Sequence, residues 1–213
     1  FGNSGRVALS FAAMEQYYQR EGRDWERYAW IKARPVAGDI AAGGELLETL
    51  RPFVYRRYLD YTALDGLREM KAMISRVVER RELQDNVKLG PGGIREVEFV
   101  VQAFQLLRGG SDPVLQAQSL LQVLPRLAGS KRLSDTAVRD LTEAYEHLRR
   151  IENRLQMYAD EQTHTLPTTD ERRARLAAAM RVPDWSTVVA NLERQRERVA
   201  QYFASLVLAA DVP

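Results

Sequence analysis

Cysteine is absent from the 213 residues, which excludes disulfides, thiolate metal sites and thiol nucleophiles. Histidine is scarce: His147 and His164 are the two, too few for a three-histidine metal site. Neither sign of charge dominates, with 31 lysines and arginines against 29 acids and a net charge of +2. A general nucleic-acid binder carries a marked basic excess on one face, so nucleic acid is not an expected partner. No apolar run approaches the ~20 residues of a membrane span and no signal-peptide pattern is visible, so no membrane is expected either. What remains is ordinary globular composition, 45% apolar and 28% charged, in a chain sized for one large domain or two small ones. A soluble protein of a reducing compartment is expected. Beginning at Phe1, the chain reads as a piece of something longer.

Helical periodicity runs through nearly all of it. Ser10 is a candidate cap for a helix that stops at Gly22, and Asp24 for one over 25–34. Gly38, Gly43 and Gly44 mark a loop before a helix over about 45–58. Leu64, Leu67, Met70, Ile74, Val77 and Val78 stripe a further helix over 61–82. Residues 86–93 are the most loop-like stretch, with room for a short strand from Val87 to Leu89. Helices are then expected over 94–107, 119–128, about 134–160, 170–180 and 185–208. The fold class is therefore all-α, a multi-helix bundle. Residues 1–21 are expected to form a loop and helix at a domain junction, and 22–213 the helical domain proper.

The glycine-rich run from Lys88 to Glu96 is the best candidate for chemistry. Gly92 and Gly93 would leave backbone N–H groups exposed at a helix start, where the dipole favours an anion. Lys88 and Arg95 add positive charge. This is no P-loop, since the lysine precedes the glycines and no Gly-Lys-Ser/Thr follows. A tight structural turn between packed helices is the competing account. The helix that follows is apolar almost all round, apart from a strip of Arg95, Glu98, Gln102 and Gln105. A buried strip needs partners, found either in neighbouring helices or across a cleft from a ligand or another domain. Arg149, Glu152 and Gln156 form a similar interior-type group on the long helix, better suited to structural ion pairing than to catalysis. The charges from Arg194 to Arg198 read as a solvated helix face. His164 lies in the loop that leads to Pro167, and with no second histidine near it no catalytic role is assigned. Glu96 and Glu98, two apart on a helix, diverge by about 200° and cannot share a metal.

Longer motifs carry a resemblance. The run from Gly22 to Ala29, continuing through Ile31-Lys32-Ala33-Arg34 to Ala37-Gly38-Asp39, resembles the bacterial bifunctional glutamine synthetase adenylyltransferase/adenylyl-removing family. Pro52 to Tyr58, Asn86 to Val101, Leu106 to Gly110, Leu148 to Asn153 and Asp160 to Thr163 resemble it too. The glycine-rich run by itself is also similar to the uridylyltransferase that modifies the PII signalling protein, a reading that Trp25 and the Arg149 to Asn153 motif disfavour. Family enzymes carry two halves, each a nucleotidyltransferase domain followed by a helical one. Arg23-Asp24-Trp25-Glu26-Arg27-Tyr28 and Gly93-Ile94-Arg95-Glu96 resemble the N-terminal half, where the other half has a Trp-Glu-His sequence and an aspartate in its Gly-Gly-Ile motif.

The resemblance implies the adenylyl-removing half, which takes AMP off a tyrosine of glutamine synthetase by phosphorolysis and yields ADP. It implies ATP, ADP and phosphate as substrates, Mg2+ as cofactor, and glutamine synthetase and PII as partners in the bacterial cytoplasm. The family's metal-binding carboxylates lie in the nucleotidyltransferase domain, of whose final run only Phe1-Gly2 remains. No catalytic or metal-ligating residue is therefore expected here, and the chain alone is expected to be inactive. Lys88, Gly92, Gly93 and Arg95 are the expected phosphate or nucleotide contacts, supported by Glu98, Gln102, Arg149 and Glu152. Arg23, Asp24 and Trp25 are a candidate contact with the missing domain, against the alternative of a helix cap with Trp25 in the core. The rival function is a non-catalytic docking module for glutamine synthetase or PII.

Overall fold

A computed structural model describes residues 8–56, 83–158 and 160–209. Eight α-helices occur among them: α1 (Phe11–Arg20), α2 (Asp24–Trp30), α3 (Ile40–Val54), α4 (Ile94–Arg108), α5 (Leu120–Gly129), α6 (Asp135–Met157), α7 (Asp170–Met180) and α8 (Trp185–Ala209). The all-α expectation holds. The helix expected over 61–82 lies outside the described residues.

Side-chain caps set most starts. Ser10, Ser134 and Thr169 accept from the backbone N–H groups of Ala13, Ala137 and Arg172. Asp39 does the same for Ala42 at 2.9 Å, so α3 begins at Ile40 and runs straight through Gly43 and Gly44. The loop expected at those glycines is thus corrected: a strong cap at Asp39, upstream of both, outweighs the helix penalty of two glycines. The same helix ends at Val54, short of Tyr58, where its last carbonyl accepts from Nε of the fully buried Arg27 at 3.1 Å. Asp24 is not the cap of α2. Arg23 occupies that place, its N–H donating to the Glu26 carboxylate at 2.8 Å, while Asp24 pairs with Arg27 at 3.3 Å and Arg56 at 3.1 Å. α2 stops at Trp30 and α6 at Met157, both earlier than expected. No strand forms at Val87 to Leu89: residues 86–93 are turns, with one isolated antiparallel bridge from Asn86 to Thr165.

α4, α6 and α8 pack on one another as the centre, with α5 and α7 on the flanks of α6. α4 is buried almost all round, as its near-continuous apolar sequence requires. It contributes Ile94, Val97, Val100 and Val101, against Leu141, Leu148 and Ile151 of α6 and Val188, Leu192 and Val199 of α8, to a single core. α1 and α2 lean on α3, and Tyr28 of α2 joins this group to α4 by an edge-on contact with Phe99 at 5.8 Å.

The glycine-rich loop is held against α8. Gly92 has a φ of +66°, and a Cβ there would stand 2.1 Å from the carbonyl oxygen of Arg196. The Arg196 guanidinium then donates to the carbonyls of Gln84 and Asn86, both at 2.8 Å. The expectation of a fully solvated face from Arg194 to Arg198 is corrected here. Burial of Arg196 lowers its pKa.

Gly92→Ala therefore combines a left-handed backbone with a clash against fixed backbone. It is expected to cost at least about 2 kcal/mol in urea unfolding. Gly44→Ala, inside α3 with open space around its Cβ among the described residues, is expected to gain about 0.5–1 kcal/mol.

Burial pushes the Tyr28 phenol up to about 12, and its hydroxyl has no hydrogen-bond partner among the described residues. A phenol harder to ionise when folded favours folding fully below its ordinary value near 10, and that support is lost as pH rises towards about 12. Tyr28→Phe is expected to leave stability equal or up to about 1 kcal/mol higher at neutral pH, and to make the alkaline loss shallower in a pH series of melting curves.

Candidate functional site: a buried carboxylate ringed by basic groups

Glu152 lies on the inner face of α6 and is 2% exposed. A carboxylate taken out of water needs compensation, and three segments supply it. Arg149, one turn earlier on α6, reaches Oε2 at 2.7 Å. His164 Nδ1, from the loop before α7, reaches Oε1 at 2.9 Å, and Lys88 Nζ, from the glycine-rich loop, stands 3.9 Å from the same oxygen. The basic groups are less buried than the acid: Lys88 keeps 34% of its side chain exposed and Arg149 keeps 42%. Lysine and arginine together exceed the single carboxylate by one positive charge, directed towards solvent.

The α4 strip adjoins this group. Arg95 pairs with Glu98 at 3.7 Å and lies over the Phe99 ring at 5.5 Å. Tyr145 stands between the two groups. Burial first, then the charge of Glu98, raises its phenol pKa, with Arg149 opposing and Glu152 adding to the rise. Lys32 also faces Glu98, although burial lowers its pKa. Gln102 is buried within the helix packing, and Gln105 spends its amide on the carbonyls of Leu115 and Ala117 at 2.7 and 2.9 Å.

Four of the expected residues are thus brought to one place or its margin: Lys88, Arg149 and Glu152 directly, Glu98 through Tyr145. The glycines are not. The N–H of Gly92 donates to the Glu96 carboxylate at 3.0 Å, and those of Gly93, Ile94 and Arg95 to the carbonyls of Gly90, Val87 and Lys88. Both glycines are buried. An exposed N–H cradle at Gly92 and Gly93 is therefore corrected: the turn consumes its own donors, and the glycines serve close approach to α8.

Glu96, committed to Gly92, and Glu98, committed to Arg95, point apart as their spacing requires. Among the described residues no group of three or more histidine, aspartate or glutamate side chains is placed to hold a metal ion. No helix among them is long and apolar enough to cross a membrane.

Arg23 and Trp25 are exposed at the start of α2, Trp25 by 57%, so the tryptophan is not a core residue. A concavity of about 520 Å³ lies elsewhere, between the end of α6, the following loop and α7. Its arginines are already engaged, Arg172 with Glu161 at 3.1 Å and Arg175 with the Tyr158 hydroxyl at 2.8 Å. Sequence reasoning missed His164 as a member of the Glu152 group. Its one signal was Gln156, a turn beyond Glu152 on the same face, whose amide nitrogen stands 3.4 Å from His164 Nδ1.

A family model described as GlnD PII-uridylyltransferase matches residues 68–207, and one described as glutamate-ammonia ligase adenylyltransferase matches residues 1–49. The chain is 59% identical over 207 residues to the bifunctional glutamine synthetase adenylyltransferase/adenylyl-removing enzyme of Stenotrophomonas maltophilia strain R551-3. It is 57% identical over 207 residues to that of Xanthomonas axonopodis pv. citri strain 306, and 55% over 208 residues to that of Nitrosococcus oceani. The chain belongs, over residues 68–207, to the family described as GlnD PII-uridylyltransferase. Over nearly its whole length it is similar to the bifunctional glutamine synthetase adenylyltransferase/adenylyl-removing enzymes. These alignments take in 97% or 98% of the chain but 22% of each relative, so the chain spans about a fifth of the length of those enzymes.

Replacing Glu152 by Gln leaves Lys88 and Arg149 without their buried counter-charge. It is expected to lower stability by about 1–3 kcal/mol, read by urea unfolding.

Proposed function

We propose that the chain is the helical part of the adenylyl-removing half of a bacterial enzyme that controls glutamine synthetase by reversible adenylylation. The observation that carries this is the identity of 55–59% over nearly the whole chain with relatives named for both activities. The choice of half rests on Arg23 to Tyr28 and Gly93 to Glu96, which match the pattern of the adenylyl-removing half. In that reaction an oxygen of inorganic phosphate attacks the phosphorus of the AMP–tyrosine linkage. The bond to the tyrosine oxygen breaks, the phenol recovers a proton, and ADP leaves.

Lys88, Arg149 and Arg95 supply fixed positive charge to the attacking phosphate or to the nucleotide's phosphates, worth most where water is excluded. Glu98 and Glu152 hold those cations, and Gln102 helps to order the strip behind them. Gly92 and Gly93 shape the loop that carries Lys88 and make no contact with the ligand. The resemblance assigns the Mg2+ ligands to a nucleotidyltransferase domain, and no group of three or more acidic or histidine side chains among the described residues is placed to hold a metal ion. On this reading ATP and ADP are bound between the two domains, the chain alone is inactive, PII is a regulatory partner, and the cytoplasm is the compartment.

ADP formation from adenylylated glutamine synthetase, phosphate and magnesium tests the reading. Activity is expected when the chain follows its nucleotidyltransferase domain and not with the chain alone. Arg95→Ala in the active form is expected to raise the phosphate KM about tenfold with an unchanged melting temperature. An unaltered phosphate dependence removes Arg95 from the site.

Trp25 favours a second reading, a docking surface for glutamine synthetase, because a half-exposed tryptophan beside an exposed arginine suits an interface. Trp25→Ala is expected to leave stability within about 0.5 kcal/mol. On this reading it weakens co-sedimentation with glutamine synthetase while phosphate binding stays as it was.

A further inference from the structure

The loop before α7 does more than connect two helices. It is stitched to the segment that carries Lys88: the Val87 N–H donates to the His164 carbonyl at 2.8 Å, the Leu166 N–H donates to that of Asp85 at 3.0 Å, and Thr165 bridges to Asn86. Between those two backbone bonds the His164 ring reaches Glu152. A carboxylate only accepts, so a contact of 2.9 Å requires the proton on Nδ1. The Gln156 amide nitrogen stands farther from the same ring nitrogen, at 3.4 Å, so the carboxylate fixes the tautomer.

His164 and Lys88 compete for one oxygen, Glu152 Oε1. The imidazole occupies it at hydrogen-bond distance and Lys88 Nζ stands off at 3.9 Å. A lysine on a flexible stem beside a buried carboxylate is otherwise drawn into direct contact. We propose that His164 is a positioning residue: by filling Glu152 Oε1 it keeps the Lys88 ammonium off the buried carboxylate and available to an anionic ligand, while Oε2 anchors Arg149. This rests on the reading that the Lys88 and Arg149 cations meet a phosphate. In His164→Ala the ammonium closes onto Oε1 and is withdrawn. In His164→Asn a neutral N–H donor near the place of Nδ1–H restores the separation.

The test is a phosphate titration of this chain and of its His164→Ala, His164→Asn and Lys88→Ala forms, followed by NMR, with the Lys88 ammonium nitrogen resonance recorded before phosphate is added. His164→Ala is expected to bind inorganic phosphate about tenfold more weakly, with His164→Asn close to the parent. Combining His164→Ala with Lys88→Ala should be no worse than Lys88→Ala alone, since both remove the same contact. A role confined to holding the loop would lower the melting temperature and leave phosphate affinity unchanged, and that result overturns the proposal. If the parent chain takes up no phosphate by itself, the ammonium resonance alone decides the inference, and ADP formation with the nucleotidyltransferase domain present decides the anion reading. A shift in His164→Ala that His164→Asn reverses sustains it, and an unmoved resonance sinks it.

Discussion

The close approach of Gly92 to the backbone of α8 at Arg196 is the constraint on which the rest of the described fold depends. Nothing larger than hydrogen fits there, so the loop and the helix meet backbone to backbone. That contact also fixes the entry of α4, because residues 90–96 satisfy their own donors within the same turn. α4 is buried almost all round and cannot adjust by sliding, since close-packed interiors resist small displacements. The Arg196 guanidinium closes the other side, donating to the carbonyls of Gln84 and Asn86. A loop that a composition reading offers as an anion cradle is instead the place where the last helix is fastened to the middle of the chain.

Fastening the loop has an electrostatic consequence. It fixes the backbone of Lys88, and the backbone bonds along residues 164–166 fix that of His164. Both side chains are then delivered to Glu152 from backbones that cannot drift. Buried ion pairs add little net stability compared with apolar packing, because each charge gives up its hydration. Glu152 is therefore poor value as a stabilising device. A carboxylate sunk beneath cations that stay partly exposed makes better sense as an orienting base: the acid is desolvated and ordered, and the charge it holds in place faces outward.

Much of this was legible in the sequence where one local cause dominates. The apolar periodicities of α4, α6 and α8 are strong, and the start of α1 follows from the Ser10 cap. The group of Arg149, Glu152 and Gln156 could be read from helical spacing, since it needs no knowledge of neighbouring elements. What failed were competitions between causes. Asp39 against Gly43 and Gly44 was decided by the cap, and the donors at Gly92 and Gly93 by carbonyls folded back from residues 87–90. Arg196, set in an evenly charged run, could not be distinguished from Arg194 without knowing that α8 lies on the loop. His164 belongs to the same class, since its partner is twelve residues away on another element.

The placement of Trp25 extends the argument to what lies beyond the core. Tyr28, one turn along α2, is buried against Phe99, and Phe99 in turn lies beneath the Arg95 guanidinium. The exposed start of α2 and the outward end of the α4 strip are thus coupled through two aromatic rings. A partner that seats on Trp25 presses on the helix whose inner face supports Arg95. On the proposed function, docking at Trp25 and anion binding at Arg95 are therefore not rivals: the two residues sit at opposite ends of one packed contact, joined through Tyr28 and Phe99.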